Sequence, residues 1–469
     1  MTLKNKNLKL LRDKYPKLFD EIESSVVNSE EYEIIEISNN LKTLKVTVKE
    51  YQESKSFYMH SKFDPVKEAA RFAKEQFNPD SSKCIVYGFG LGYHILEIAK
   101  LLKSENRLYI VENNLSVFQR AVEETDLENI ILDPGIELIV SKDIGYLSRK
   151  IKEILNEGVD FIIHPASLKA IPQENEYFKF VMENWNLKKS LTKDYSDWIQ
   201  DNIKGNLILK SPNAGVFFNK FKNIPIVIVS TGPSLDKNID FLSEVKNKAL
   251  VISVGSALRP LMKRNIVPDF FVIIDPQVET YNQIKGYEDI GIPLIYLAAA
   301  SPFTVSKYNG PKFIACNDPS LLKQGEGMEH LIDPGGSVST TALDIAIKMG
   351  GNPVILIGQD LAFINGKNHA EHGTHININS PDLKNMRKVM GQNGEVLNTS
   401  LGLLSYKYWI ENRIEKENRL FINATEGGAY INGMKHIKLK DVISDYLNES
   451  FNFKEKIKAI LAESGNGYV

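Results

Sequence analysis

A chain of 469 residues is too long for one ordinary domain and has room for roughly two or three cores. Lys and Arg total 57 against 59 Asp and Glu, a net charge of −2, which excludes the broad basic field that sequence-independent nucleic-acid binding needs. A hydrophobic fraction of 43% and a charged fraction of 25% suit a soluble globular protein, and no stretch approaches the ~20 apolar residues of a membrane span. The only cysteines, Cys84 and Cys316, sit in strand-like runs, as suits packing in a reducing compartment and not a disulfide framework or zinc site. The Lys-rich start, 1–14, has no long apolar core, so the reading is a cytoplasmic protein.

Residues 1–60 read as a small α+β preface, with a helix over 8–24 and strands at 32–37 and 44–48. From Asp64 a helix leads into Cys84-Ile-Val-Tyr-Gly-Phe-Gly-Leu-Gly92, an amphipathic helix over 93–103 and a strand at 107–112 ending in Glu112. A glycine-rich strand-to-helix turn with an acid closing the next strand is the layout of a Rossmann-like nucleotide site. Its G-x-G-x-G spacing is nearer the first motif of S-adenosylmethionine-dependent methyltransferases than the dinucleotide fingerprint. No methyltransferase catalytic motif follows, so the turn is either a ligand site or glycines serving helix–strand packing. Strands at 136–140 and 159–164 continue the alternation, and the aromatic segment 175–223 reads as a helical connector ending in Ser211-Pro-Asn-Ala-Gly215.

From Ile224 the alternation is regular. Strands at 224–230, 249–255, 269–275, 293–299, 312–316 and 353–357 alternate with helices at 234–246, 256–265, 279–287, 303–308 and 338–349. That pattern predicts a parallel sheet covered on both faces, with ligands beyond the carboxyl ends of the strands. The strand ends carry Ser230-Thr231-Gly232, Gly255-Ser256, Asp275-Pro276, Ala300-Ser301, Asn317-Asp318 and Gly358-Gln359-Asp360, predicting a polar crevice. In Ile224-Pro-Ile-Val-Ile-Val-Ser-Thr-Gly-Pro-Ser-Leu235, Gly232 and Pro233 stop the strand and Ser234 reads as an N-cap, a helix start suited to an anion as well as ordinary turn chemistry. Asp333-Pro-Gly-Gly-Ser-Val-Ser-Thr-Thr341 is a second such start, with Gly335 and Gly336 freeing the backbone and hydroxyls at Ser337, Ser339, Thr340 and Thr341; no lysine follows, so it is not a P-loop. His369, His372 and His375 fall three apart in a Gly- and Asn-containing loop. One of them, His369 by preference, suits a general base near neutrality, and zinc ligation with Glu371 or Asp360 is the weaker alternative. The remainder reads as a helix, Leu420-Phe-Ile-Asn-Ala-Thr-Glu-Gly-Gly-Ala429 and two closing helices.

Taken together, Val229-Ser-Thr-Gly-Pro-Ser-Leu235, Pro268-Asp-Phe-Phe-Val-Ile-Ile-Asp-Pro276, Gly335-Gly-Ser-Val-Ser-Thr-Thr-Ala342, Gly358-Gln-Asp-Leu-Ala-Phe363 and Asn423-Ala-Thr-Glu-Gly-Gly428 resemble the motility accessory factor (Maf) flagellin glycosyltransferases over roughly 220–440. The same region is similar to bacterial sialyltransferases, with Ser230-Thr231 where those have Gly-Asn, and Gln359-Asp360-Leu361 in place of Ile-Asp-Phe. The resemblance implies a cytoplasmic, inverting transfer of a nonulosonic acid from its CMP-activated form to Ser or Thr of flagellin, the protein acceptor. It requires no cofactor or metal. It implies that Gly232, Pro233 and Ser234, with Thr231, Ser256, Ser301 and Asn317 on the same edge, lie against CMP. Gly335, Gly336, Ser337, Ser339 and Thr340 would hold its phosphate or the sugar carboxylate, and Asp275 the ribose or base. Gln359, Asp360, Thr425, Glu426 and Gly427 would meet the donor sugar or orient the histidine. The related MptE-like pterin pyrophosphokinases, which use ATP and Mg²⁺, are the rival reading, and a non-catalytic flagellin-binding chaperone is a third.

The expected architecture is α/β. A Rossmann-like N-terminal domain occupies 1–200 (core about 64–170), a connector 201–223, a catalytic Rossmann-like parallel-sheet domain 224–400 and a mostly helical C-terminal region 401–469.

Overall fold

A computed structural model describes residues 2–37, 41–50, 53–155, 159–189, 193–323, 325–364, 370 and 386–463. The chain forms two compact units, Met1–Ser190 and Leu191–Val469. No helix among the described residues is long and apolar enough to cross a membrane.

In the first unit, β1 (Tyr32–Glu36), β2 (Lys42–Glu50) and β3 (Glu53–Tyr58) form an antiparallel sheet preceded by helices Leu3–Lys14 and Pro16–Ser24. Pro16 at the first position of the second helix splits the single helix expected over 8–24. A parallel sheet follows, ordered β6-β5-β4-β7, from β4 (Lys83–Tyr87), β5 (Arg107–Glu112), β6 (Ile136–Val140) and β7 (Val159–Ile163). The chain runs from β4 outward to β6 and then returns to the opposite side of β4. The switch in direction opens a crevice between the carboxyl ends of β4 and β7.

The second unit is built on an eight-stranded sheet, ordered β12-β11-β10-β9-β8-β13-β16-β17. Its strands are β8 (Ile226–Val229), β9 (Leu250–Val254), β10 (Phe270–Ile273), β11 (Leu294–Leu297), β12 (Lys312–Ala315), β13 (Val354–Ile357), β16 (Phe421–Asn423) and β17 (Lys435–His436); all are parallel. Between β13 and β16 lies an antiparallel hairpin, β14 (Arg387–Met390) and β15 (Val396–Thr399). Every residue of β8, β9, β10, β11 and β13 is buried, which is why these stretches read as continuous apolar runs. Here the switch point lies between β8 and β13, whose registers pair Ile226 with Val354 and Val229 with Ile357.

Two local expectations change. The helix anticipated over 234–246 is three short pieces, Leu235–Asn238, a 3-10 turn Ile239–Phe241 and Leu242–Val245. Asn238, Ile239, Leu242 and Val245 are all buried, and the last three pack in one core cluster with residues of the central strands β8 and β9. The 401–469 region does contain helices Leu401–Glu415, Leu439–Tyr446 and Phe453–Glu463, yet β16 and β17 between them complete the central sheet. Three residues, two apolar and one asparagine, are too few to show strand periodicity, so tertiary pairing decides β16.

The crossover helix Val338–Met349 carries one acidic residue, Asp344, at 1% exposure. Asp344 Oδ1 accepts from Arg413 Nε at 2.7 Å, and its Oδ2 accepts from the Asp333 N–H at 2.8 Å. Arg413 also meets Glu417 at 2.6 Å, so helix Leu401–Glu415 and the loop leading into the crossover helix share one buried ion network. Removing one partner of such a pair leaves an uncompensated charge. Arg413→Met is expected to lower unfolding free energy in urea by about 3 kcal/mol. Adding Asp344→Asn, which removes the charge but keeps an acceptor for Asp333, should recover most of that loss.

Candidate active site

The turn after β8 and the end of β13 meet at Asp360. The Ser234 N–H and hydroxyl both donate to Asp360 Oδ2, at 3.2 and 2.8 Å. Ser234 therefore makes no side-chain cap on the four-residue helix it precedes; its hydroxyl is committed to the carboxylate. Asp360 is 2% exposed, and its Oδ1 is buried with no hydrogen-bond partner among the described residues. Burial pushes its carboxyl up to about 6, against the hydrogen bonds from Ser234 and the charge of Lys237.

Glycine is required around it by contact. A Cβ on Gly232 would lie 1.9 Å from Asp360 Oδ2 and 2.5 Å from the Gly358 carbonyl. One on Gly428, whose φ is +78°, would strike the Asp360 backbone at 2.2 Å. Leu361 and Glu426 hold positive φ angles of 54° and 59° without being glycine, so the backbone is strained on both sides of the carboxylate.

Hydroxyls continue the site. Ser230 donates to Gln359 Oε1 at 2.8 Å; having spent its one proton, it accepts from Ser339 at 2.9 Å. Ser339 stands in the first turn of Val338–Met349, so this 12-residue helix aims its amino end at the switch point. The first N–H groups of a helix have no intrahelical acceptor and carry its positive dipole end. The loop ahead of it is locked: Ser337 accepts from the Thr340 N–H at 3.1 Å, and the Thr340 and Thr341 hydroxyls donate to the Pro334 carbonyl at 2.7 and 3.0 Å. Gly335 has φ +60°, and a Cβ there would lie 2.4 Å from the Trp409 ring; Tyr406 covers Gly336. Thr231 and Ser256 join hydroxyl to hydroxyl, and the Gln359 N–H donates to Thr425 Oγ1 at 3.1 Å.

Other strand-end residues fall elsewhere. Ser301 caps the helix Pro302–Lys307, after a strand roughly 14 Å from β8 by strand spacing, and exposed Asn317 follows β12, roughly 19 Å away. Asp275, raised by burial against its Gln283 hydrogen bond, follows β10 by two residues, and its charge acts on Tyr406, whose ring covers Gly336. Glu426 Oε1 accepts from the Leu439 N–H at 3.0 Å, so its carboxylate serves a helix start. Pro233 is half-buried beside Ser234, and Gly427 lies with its Cβ position 3.6 Å from Asp360 Oδ1. His369, His372 and His375 lie outside the described residues, as does Glu371. Ala370 is described: it is buried, and its N–H donates to the Thr231 carbonyl at 2.7 Å.

The glycine-rich turn of the first unit is filled by side chains. A Cβ on Gly88 would fall 2.3 Å from Ser167 Cβ, and one on Gly90 2.6 Å from His60 Nε2. Glu112, the acid that closes the next strand, accepts from the Phe89 and Asn114 N–H groups at 2.8 Å each, and burial raises it to about 7. These glycines serve packing.

The comparisons divide along the same line. Residues 27–164 match the family model of the glycosyltransferase Maf N-terminal domain, and residues 200–366 match that of the 6-hydroxymethylpterin diphosphokinase MptE-like proteins. One match falls in each of the two units. A solved Maf glycosyltransferase from Magnetospirillum magneticum AMB-1 is similar in fold to this Maf-like chain, with a TM-score of 0.51 and 15% identity over 98% of this chain and 78% of that one. An uncharacterized protein of Treponema pallidum (strain Nichols) is 29% identical over 154 residues, 31% of this chain and 27% of the relative, so the match spans about a quarter of that protein.

Sequence reading missed Tyr406, Trp409 and the Asp344–Arg413 pair. A lone acid in an apolar helix was the available signal for the last. Gly232→Ala is expected to cost about 2 kcal/mol in urea unfolding, the usual penalty for overpacking. Gly402→Ala, in a helix with no atom nearer than 3.9 Å to its Cβ position, should be neutral or stabilising.

Proposed function

We propose that this Maf-like chain transfers a nonulosonic acid from a CMP-activated donor to Ser or Thr hydroxyls of flagellin, with inversion and without a metal. The observation that carries this reading is the buried carboxylate of Asp360, with one bare oxygen, at the same switch point as the amino end of helix Val338–Met349. The helix end suits the donor's anionic groups. The acceptor oxygen bonds to the anomeric carbon as the bond to the CMP phosphate breaks, the phosphate takes the bonding electrons, and the acceptor proton passes to a base. His369 is the preferred base, ahead of His372 and His375. Asp360 Oδ1 orients that imidazole and stabilises its protonated form.

The MptE-like match favours the rival reading, an ATP- and Mg²⁺-dependent pyrophosphokinase. The match of residues 27–164 to the Maf N-terminal domain model supports the transferase instead.

Calorimetry with CMP, and separately with ATP and magnesium, distinguishes the two. CMP is expected to bind without metal and to weaken roughly tenfold in Ser339→Ala, the size of one hydrogen bond to a charged group. Binding of ATP with magnesium alone would overturn the transferase, and silence toward both would favour the chaperone. Asp360→Asn is expected to keep CMP affinity while transfer to flagellin falls roughly 10²- to 10⁴-fold. Because Asp360 must be ionised, wild-type transfer should rise as pH passes upward through about 6. Persistence of that limb in Asp360→Asn would assign it to the histidine.

A further inference from the structure

We propose that His60, His94 and His164 bind a divalent transition-metal ion of the zinc class at the switch point of the N-terminal sheet. His164 directly follows β7, His94 lies in the helix entered from the glycine turn after β4, and His60 follows β3 closely. Three separate segments thus deliver imidazoles to the crevice between β4 and β7. All three are buried, at 4%, 1% and 7% exposure for His60, His94 and His164, and one ring nitrogen from each lies within 4.8 Å of the others.

Hydrogen bonds set the lone pairs. The Gly88 carbonyl can only accept, so His94 Nε2 carries the proton donated to it at 2.8 Å, which leaves Nδ1 as a bare lone pair. That Nδ1 is buried with no partner. A metal-bound histidine commonly donates its other ring N–H to a backbone carbonyl, the arrangement His94 already has. His164 Nδ1 is held by Ser167 Oγ at 2.9 Å, which leaves Nε2 for coordination. His60 Nε2 accepts from the Leu91 N–H at 2.8 Å, a bond given up when that nitrogen turns to an ion. The rings of His94 and His164 are stacked, 4.2 Å between centroids and 12° between planes. Coordination is in the ring plane, so ion capture turns one ring about its Cβ–Cγ bond and draws the nitrogens toward the roughly 3.3 Å spacing of a tetrahedral site with ~2.0 Å bonds.

The ligand class follows from the donors. Three imidazoles with no thiolate among them suit zinc, nickel or copper(II) and not magnesium or calcium. The same rings border a cavity of about 310 Å³ whose rim carries Glu68, Arg71 and Glu75. A fourth position can therefore hold water or a ligand, as in sites with three protein ligands.

The test uses the full-length protein stripped with chelator. Cobalt(II) titration is expected to give the ligand-field absorption of a tetrahedral nitrogen site, saturating at about one ion per chain, and zinc should displace it. His94→Gln should weaken zinc roughly 100-fold in competition with a chromophoric chelator. Ser167→Ala, which keeps all three rings and removes only an anchor, should weaken it roughly tenfold. Circular dichroism of each variant separates lost binding from lost folding. A variant with alanine at His369, His372 and His375 should bind as wild type does. The proposal is overturned if no cobalt spectrum develops, if folded His94→Gln and His164→Gln bind normally, or if the loop variant is the one that loses the ion.

Discussion

The second unit depends on the convergence of three turns around one carboxylate. β8, β13 and β16 are adjacent parallel strands, so the turns that leave their carboxyl ends crowd into a single volume. Asp360 occupies that volume, and its neighbours at 232 and 428 are glycine because any side chain would overlap it. Ser234 offsets part of the desolvation through one carboxylate oxygen, while the other oxygen has no donor among the described residues. A buried acceptor without a partner costs on the order of 1–3 kcal/mol, and strain at Leu361 and Glu426 adds to that cost. Such costs persist where the surrounding structure over-determines the geometry, and they mark functional sites more often than scaffolds.

Rigidity on the opposite wall has a different origin. The loop into helix Val338–Met349 uses its own hydroxyls on its own carbonyls, and the Trp409 and Tyr406 rings pack against its glycines. Arg413 then fastens the same helix to the C-terminal segment. Residues 401–463 are accordingly part of the site's construction, through two added strands, a covering helix and an ion pair. The two sheets apply one topological rule with different fillings. At the β8–β13 switch point the strand ends are small and hydroxylated, whereas at the β4–β7 switch point imidazoles and Ser167 fill the equivalent space.

Much of this architecture was legible because parallel strands buried on both faces leave continuous apolar runs, as in Ile226–Val229 and Val354–Ile357. The helix Val338–Met349 was readable to the residue, since Ser337 caps it and Gly350 ends it in the left-handed conformation. What failed were inferences needing knowledge of distant neighbours. Ser234 has the chemistry of an N-cap, and only the fold shows that Asp360, 126 positions later, claims its hydroxyl. Glu426 looked free for a sugar, yet the start of helix Leu439–Tyr446 takes it. The glycines at 88 and 90 carry a nucleotide-like spacing for a packing reason, because Ser167 and His60 press against them from far along the chain. Strand order likewise separates Asn317 and Ser301 from Asp360, although all three end strands of one sheet.

The charge distribution at the β8–β13 crevice constrains how a donor of the proposed kind would enter. A CMP-activated nonulosonic acid carries a phosphate and a sugar carboxylate, both anionic, and an ionised Asp360 repels them at short range in a medium of low dielectric. The amino end of helix Val338–Met349 attracts them, and Ser339, bonded to Ser230, brings that helix end to the same turn as Ser234. Favourable energy therefore requires the phosphate on the Ser339 side, with the hydroxyl acceptor and its base on the Asp360 side. In the proposed inverting transfer, the leaving group and the incoming nucleophile must lie on opposite sides of the anomeric carbon, which this division of charge would serve. Under the same proposal, an imidazole that gained a proton beside the raised Asp360 carboxyl would replace the carboxylate's lost hydration with a positive partner.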